Sequence, residues 1–263
     1  MFMCILFVAL QTHPEFPLII CANRDEFHHR PTQPAHFWPA SNKTNKVLAG
    51  KDLEAGGTWL GVNQQGKIAG LTNIRAPELN QIDMRSRGEL VLKALEPDGI
   101  EQEWLTRHSR FYNPFNLLFG DENSLQCFDS RSQKLQRLSS GFHSISNGAL
   151  DDIWPKMARG SQAIEQHISN HDDPDIDALL TIMMDNTQAP DTELPTTGIS
   201  IEWERHLSSI YIRHEEYGTR STSIILKDKQ GKVHFTEVRY DGKGRNLGRD
   251  EFYIEPGSQV NHT

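Results

Sequence analysis

Apolar residues in this chain fall in short runs rather than long periodic stretches, and the first two runs set the pattern. Residues 5–10 are unbroken apolar sequence and residues 17–21 nearly so, joined by the turn Gln11-Thr12-His13-Pro14-Glu15. Runs of this length predict buried strands, here an antiparallel hairpin. The polar patch Asn23-Arg24-Asp25-Glu26 follows where the second strand is expected to end. Residues 28–51 carry Pro31, Pro34 and Pro39 among many polar side chains, which predicts a long surface segment with little regular structure. The clearest hairpin comes next, with residues 58–62 and 67–73 flanking the turn Asn63-Gln64-Gln65-Gly66.

Ser86-Arg87-Gly88-Glu89 has the spacing of a capping box and opens a helix through Leu90, Val91, Ala94 and Leu95, stopped by Pro97 and Gly99. A weaker helical pattern covers residues 100–108, with Trp104 and Leu105 inward. Strands are predicted at 115–119, 125–128, 135–138 and 142–146, then helices at 154–168 and 176–184, the second opened by Asp173 before Pro174. After a polar loop over 186–199, residues 221–226 and 233–240 form a late hairpin, and the tail beyond Asp241 reads as loop. Strands first, helices in the middle and strands again predict an α+β chain with mainly antiparallel sheets and a single domain over 1–263.

Composition narrows the class. The chain has 263 residues, 37% apolar and 24% charged, with a mean hydropathy of -0.57, as expected of a soluble protein. A formal net charge of -8 and a pI near 5.8 argue against nonspecific nucleic-acid binding, which needs a basic face. The run at 5–10 lacks a basic leader and is too short for a secretory signal or a membrane span. Cys4, Cys21 and Cys127 form no C-x-x-C pair and leave one thiol over, which fits a reducing compartment, so a cytoplasmic location is expected.

Four groups of residues are candidates for chemistry. Were Cys4 the first residue, it would carry a thiol and an α-amine with reference pKa values of about 8.5 and about 7.7–8.0, a nucleophile with its own base. The same residue also reads as a small hydrophobe in a strand. Arg24 and Asp25 offer a cation for a thiolate and a carboxylate for an amine, but on a regular strand they point to opposite faces, and the patch also reads as a salt-bridged turn. Asn73 and Asn147 end predicted strands and suit an oxyanion, or simply mark turns. Arg220, within Gly218-Thr219-Arg220-Ser221, suits an anion or a surface position. The histidines lack metal-ligand spacing: His28 and His29 are adjacent, and His167 and His171 lack a third ligand. No nucleotide-cradle or G-x-S-x-G pattern is present.

Taken in order, Met3-Cys4, Asn23-Arg24-Asp25-Glu26, Gly56-Gly57-Thr58-Trp59-Leu60-Gly61, Thr72-Asn73, Ser86-Arg87-Gly88, Ser146-Asn147-Gly148 with Trp154-Pro155-Lys156, and Tyr217-Gly218-Thr219-Arg220 resemble the NRDE family, which includes the transport and Golgi organization 2 proteins. The resemblance covers nearly the whole chain. It implies an outlying branch of the amino-terminal-nucleophile hydrolases with a four-layer αββα sandwich, similar to cysteine amidases that cleave bile salts, penicillin V and acylethanolamides. On that likeness Cys4, Arg24, Asp25, Asn73, Asn147 and Arg220 are the expected site, acting on a linear carbon–nitrogen amide of a small molecule with no cofactor required. Two departures stand out. Arginine and aspartate are adjacent here, whereas the amidases space them apart. Met1-Phe2 precede the expected start, and phenylalanine after the first methionine blocks its removal; either Met3 is the start, the extension is clipped, or Cys4 is not catalytic. The alternative implied by eukaryotic relatives linked to haem trafficking and acyl metabolism is a protein that binds or transfers haem or an acyl ligand, with Phe37, Trp38 and His36 as the contributing residues.

Overall fold

A computed structural model describes residues 3–39 and 46–255; Met1 and Phe2, and the last part of the tail, lie outside the described residues. Strands β1 (Met3–Leu10) and β2 (Leu18–Phe27) form the first hairpin, paired from Leu10 with Leu18 to Met3 with Asp25. On β1 the side chains of Leu6, Val8 and Leu10 enter one core while Ile5, Phe7 and Ala9 enter another, so the strand is apolar throughout because both of its faces are covered.

Two antiparallel sheets account for the strands. The second sheet runs β3 (Thr32–Phe37), β4 (Val47–Asp52), β5 (Leu60–Asn63), β6 (Ile68–Asn73), β7 (Phe115–Gly120), β8 (Gln126–Asp129) and β9 (Lys134–Arg137) as successive neighbours. The first sheet continues with β10 (Gly141–Ile145), β11 (Tyr217–Lys227), β12 (Val233–Tyr240) and β13 (Asn246–Ile254), in the order β10-β1-β2-β11-β12-β13. One core lies between the sheets, with Leu6, Val8 and Ile225 meeting Leu48, Val62 and Leu118.

The outer layers are helical. Helices α1 (Gly88–Ala94) and α2 (Gln102–His108) bury Leu90, Val91 and Leu105 against the second sheet. Helices α3 (Pro155–Asn170) and α4 (Ile176–Met183) bury Met157, Ile164 and Leu179 against Phe7, Cys21 and Ile224 of the first. The result is the α+β four-layer sandwich expected from the family resemblance. No helix among the described residues is long and apolar enough to cross a membrane.

Several local expectations are corrected. Residues 28–51 contain β3 and β4 rather than irregular chain: β3 is an edge strand, and Pro34 falls at a register break between Gln33 and His36, where a missing N–H is tolerated. The segment after Asp241 holds β13, whose inward Phe252 and Ile254 alternate with exposed Glu251 and Tyr253, a pattern too charged to read as an apolar run. The capping box at Ser86 is not formed. The residue before α1 is Arg87, with no side-chain cap, and Glu89 pairs instead with Arg85 at 2.7 Å and the Tyr112 hydroxyl. Asp175 rather than Asp173 caps α4, accepting from the Asp177 N–H at 2.9 Å. A short helix α5 (Ile201–His206), capped by Ser200, had no apolar signal strong enough to predict it. Finally, the Asn-Arg-Asp-Glu patch is not a turn, since β2 runs through it to Phe27.

Candidate functional site

Because β2 continues through Arg24 and Asp25, strict alternation sends the two side chains to opposite faces of the first sheet. Cys4 pairs directly with Arg24 across the hairpin, and both lie on the side that faces the second sheet. There a cleft of about 360 Å³ opens at the end of the sandwich, lined by Cys4, Arg24, Asp25 and Asn73 with Trp59, Glu26, Asp52 and Arg87.

Arg24 is buried and multiply held. Its guanidinium lies 4.4 Å over the Trp59 ring, Nη1 donates to Thr32 Oγ1 at 3.1 Å, and Nη2 is 3.7 Å from Glu26 and 3.6 Å from Asp52. Arg30 joins the same wall through Asp52 at 2.7 Å and Glu26 at 3.5 Å. Gly50 makes room for the Trp59 ring, which would stand 2.4 Å from a Cβ at that position. Burial raises the Glu26 carboxyl above its ordinary value against the pull of Arg24. Burial would raise Asp52 too, but the Arg30 hydrogen bond, the Ala55 N–H and the charges of Arg30 and Arg24 together hold it below its ordinary value. The cleft wall therefore carries charges of both signs in fixed positions.

The Cys4 thiol opens onto the cleft on one side and is otherwise surrounded by protein. Burial, with the Asp25 carboxylate adding to it and Arg24 opposing, pushes the thiol up to about 12. With Met3 before it, Cys4 is thus a neutral thiol at physiological pH. Asp25 sits on the other face, toward α3. Its Oδ1 accepts from Thr219 Oγ1 at 2.6 Å, while Oδ2 has no hydrogen-bond partner among the described residues. Burial raises this carboxyl, opposed first by Lys156 of α3 and then by the Thr219 bond.

Asn73, at the end of β6, lines the cleft. Asn147 stands behind it: fully buried, its Nδ2 donates to the Asn73 carbonyl at 2.8 Å, and Ser146 Oγ lies 3.1 Å from its Oδ1 and 3.2 Å from the Cys4 carbonyl. Asn147 therefore braces the backbone that presents Asn73. Arg220 falls at a register shift in β11, and its Nη1 donates to the carbonyls of Phe27, His28 and Arg30 at 2.9, 3.0 and 3.3 Å. It lines a separate cavity of about 120 Å³ on the far side of Trp59, which borders both. So Cys4, Arg24 and Asn73 meet in the cleft, Asp25 borders it while its carboxylate turns across the sheet to Thr219, Asn147 lies behind, and Arg220 ties down the chain leaving β2.

Three residues at or beside the site were not singled out from sequence. Arg87 lines the cleft, donates Nη1 to the Pro114 carbonyl at 3.1 Å, and is lowered by burial to about 10, with Cys4 and Glu26 favouring its charge. Its Ser-Arg-Gly context read as a helix start. Trp59 lies in the Gly-Gly-Thr-Trp-Leu-Gly segment, where it reads as a strand residue. Lys156, in Trp-Pro-Lys, read as the start of a helix. His36, Phe37 and Trp38 are not part of the cleft lining. His36 stacks on Trp38 at 5.9 Å with Nδ1 donating to the Pro34 carbonyl, and Phe37 meets Phe252 edge-on.

Two face-to-face antiparallel sheets with helices outside form a four-layer sandwich like the fold of the amino-terminal-nucleophile hydrolases. In agreement, the chain superposes on a solved Caenorhabditis elegans N-acylethanolamine-hydrolyzing acid amidase ortholog with a TM-score of 0.51 and 11% identity, covering 85% of this chain and 92% of that one. The chain belongs to the transport and Golgi organisation 2 family, whose profile matches residues 3–242. The transport and Golgi organization protein 2 homolog of Bos taurus is 35% identical over 260 residues, spanning 89% of this chain and 92% of the relative. The Homo sapiens homolog is 32% identical over 258 residues, with the same shares.

Proposed function

We propose that this chain, with Cys4 as its first residue, is an amidohydrolase acting on a linear carbon–nitrogen amide of a small molecule. The observation that carries the reading is the meeting of Cys4, Arg24 and Asn73 on one cleft at the open end of β1. The α-amine of Cys4 takes the thiol proton, and the sulfur attacks the amide carbonyl. Asn73, braced by Asn147, donates to the oxyanion, and Arg24, anchored by Trp59, Glu26 and Asp52, supplies fixed positive charge near the sulfur. The ammonium then returns its proton to the departing amine, leaving a thioester that water hydrolyses. A cleft of about 360 Å³ suits a small molecule. The amidase named among the structural likenesses favours N-acyl amides as the first substrates to try.

The test begins with the intact mass of the native protein, which shows whether the chain starts at Cys4. Protein prepared with Cys4 first is then offered N-acylethanolamides, N-acyl amino acids and conjugated bile salts. Release of amine, abolished by Cys4→Ala and by a retained Met1-Phe2-Met3, is the expected result. A native chain that never exposes the Cys4 amine overturns the reading.

A further inference from the structure

A row of paired residues crosses the first sheet from the cleft outward. Cys4 of β1 pairs with Arg24 of β2, Arg24 with Ser221 of β11, Ser221 with Arg239 of β12, and Arg239 with Gly248 of β13. Residues directly opposite one another on antiparallel strands share a face, so the whole row looks toward the second sheet. Trp59 stands between two parts of it. On one side of the ring lies the cleft with Cys4 and Arg24, and on the other the cavity of about 120 Å³ lined by Arg220, Ser221, Glu237 and Arg239. That volume is well above the roughly 10–15 Å³ that one water needs. Gly248 ends the row without a side chain, and a Cβ there would lie 2.6 Å from Arg239 Nη2.

The second cavity is walled by donors that lack acceptors. Arg220 Nε, Arg239 Nε and Ser221 Oγ are buried and have no hydrogen-bond partner among the described residues, and Ser221 as a whole is 5% exposed. Arg220 spends Nη1 on three backbone carbonyls, and no carboxylate among the described residues forms an ion pair with it. Burial and the neighbouring Arg24 cation both weigh against its charge, and Glu26 opposes them. Arg239 Nη2 donates to Asp250 at 2.7 Å, but its Nε stands 4.0 Å from Glu237, beyond hydrogen-bond reach. Glu237 is the acidic residue of the lining, and its Oε1 accepts from the Ala35 N–H at 2.9 Å. A buried guanidinium with no counter-charge, a buried hydroxyl and a second guanidinium on one cavity are the chemistry of an oxyanion site. Three donors from three side chains favour a phosphate group, with its several acceptor oxygens, over a carboxylate.

We propose that the cavity beyond Trp59 is a binding site for a phosphate group, held by Arg220, Arg239 and the Ser221 hydroxyl. The anion supplies the counter-charge that Arg220 lacks. The site is distinct from the cleft and does not depend on the amidase reading.

The experiment is calorimetric titration of the full chain with inorganic phosphate at about pH 6, where the Glu237 carboxyl is largely neutral and does not repel the ion. Saturable binding of one phosphate per chain is expected. Ser221→Ala and Arg239→Gln should each weaken it about tenfold, the loss of one hydrogen bond to a charged group. Arg87→Gln, which alters the lining of the cleft and not of this cavity, should leave it unchanged. Arg220 stays intact in these variants because its carbonyl bonds hold the chain leaving β2. Urea midpoints check that each variant folds, and if Arg239→Gln does not, Ser221→Ala decides. Glycerol phosphate distinguishes the source of the group: affinity equal to that of inorganic phosphate marks the end of a phosphate ester, and loss of binding marks the free ion. Absence of saturable binding overturns the inference, as does tighter binding of acetate than of phosphate. Equal affinity in wild type and Ser221→Ala means an adventitious ion only, and loss in Arg87→Gln instead places the ion in the cleft; either result refutes the site.

Discussion

Replacing Gly160 by alanine tests how tightly α3 is pressed onto β1, the two elements that carry Lys156 and Cys4. A Cβ built at Gly160 would lie 2.2, 2.7 and 2.9 Å from three ring atoms of Phe7, which is 2% exposed. Ordinary carbon contacts are about 3.5–4.0 Å, so ring and helix would have to part by roughly 1.3 Å or more. Phe7 has little room to yield, being packed among Met157, Ile164 and Cys21 in the core beneath α3. Overpacking of this kind costs about 1–3 kcal/mol, whereas alanine for glycine in a helix interior gains about 1 kcal/mol. The overlap here is backed by a buried ring rather than a flexible chain end, so the steric term prevails, and Gly160→Ala is expected to be less stable than wild type by up to about 2 kcal/mol. Urea denaturation measures this as a lower midpoint at unchanged slope. The double variant Gly160→Ala/Phe7→Leu separates the cause, since shrinking the ring should recover part of the loss, with a coupling of about 1 kcal/mol. A Gly160→Ala protein at least as stable as wild type would refute the contact, because helix propensity alone would then explain the result.

Other outcomes follow from individual sites. Glu237 is buried, and burial, opposed by the Ala35 N–H and Arg239, raises its carboxyl from 4.5 to about 7. The folded chain therefore holds this proton to higher pH than the unfolded chain does, so the contribution to stability is full below about pH 4.5 and is lost as pH rises through 7. Glu237→Gln should gain on wild type by up to about 3 kcal/mol between pH 5 and pH 8, and an unchanging difference between the two would contradict it. With its thiol near 12, Cys4 of the uncut chain should alkylate about tenfold faster for each pH unit from 8 to 10; a plateau within that range would show an ordinary thiol. Arg75→Met strands the buried Glu204, which also accepts from the Thr197 N–H at 3.0 Å, and should cost about 3–5 kcal/mol in urea denaturation. A loss below about 1 kcal/mol would mean that the pair is not buried in solution. Gly50→Ala should displace Trp59 from beneath Arg24 and lower amidase turnover with little change in expression, and unaltered kinetics would detach that ring from the site.

How far the sequence discloses this arrangement depends on where the information sits. The hairpins of β1–β2, β5–β6 and β11–β12 are legible because buried strands on facing sheets need continuous apolar runs, and turn residues separate them. Strand β3 is hidden by Pro34, which is tolerated only because an edge strand breaks register there, and β13 by the charges on its outward face. The site divides in the same way. The Cys4–Arg24 pairing follows from a hairpin register that the turn at residues 11–17 fixes, and Asn73 follows from the end of β6. The direction in which a side chain donates is not encoded locally. The Asn147 amide turns to the Asn73 carbonyl, and Arg220 turns to three carbonyls around the end of β2, through contacts more than seventy residues away in sequence. Lys156 is the extreme case, because a lysine near a helix start reads as solvated surface until α3 is seen to bury it against the first sheet.

The adjacency of Arg24 and Asp25 looked like a defect beside amidases that space these residues apart, but strand geometry gives it a use. A residue inside a strand presents its side chain to one face only, so one internal cysteine cannot use groups on both faces. A cysteine that ends the strand differs: its thiol follows the side-chain direction into the cleft with Arg24, while its amine, free of a preceding residue, takes the place of the peptide link to Met3 that pairs with Asp25. On the proposed amidase reading, adjacent residues on β2 then serve the two functional groups of one residue on β1. The raised thiol of the chain that retains Met3 has another cause, burial with the Asp25 carboxylate adding to it. On the proposed amidase reading, Cys4 with its amine tied up in a peptide bond has no base to take its proton, so that reading requires the segment before it to be absent.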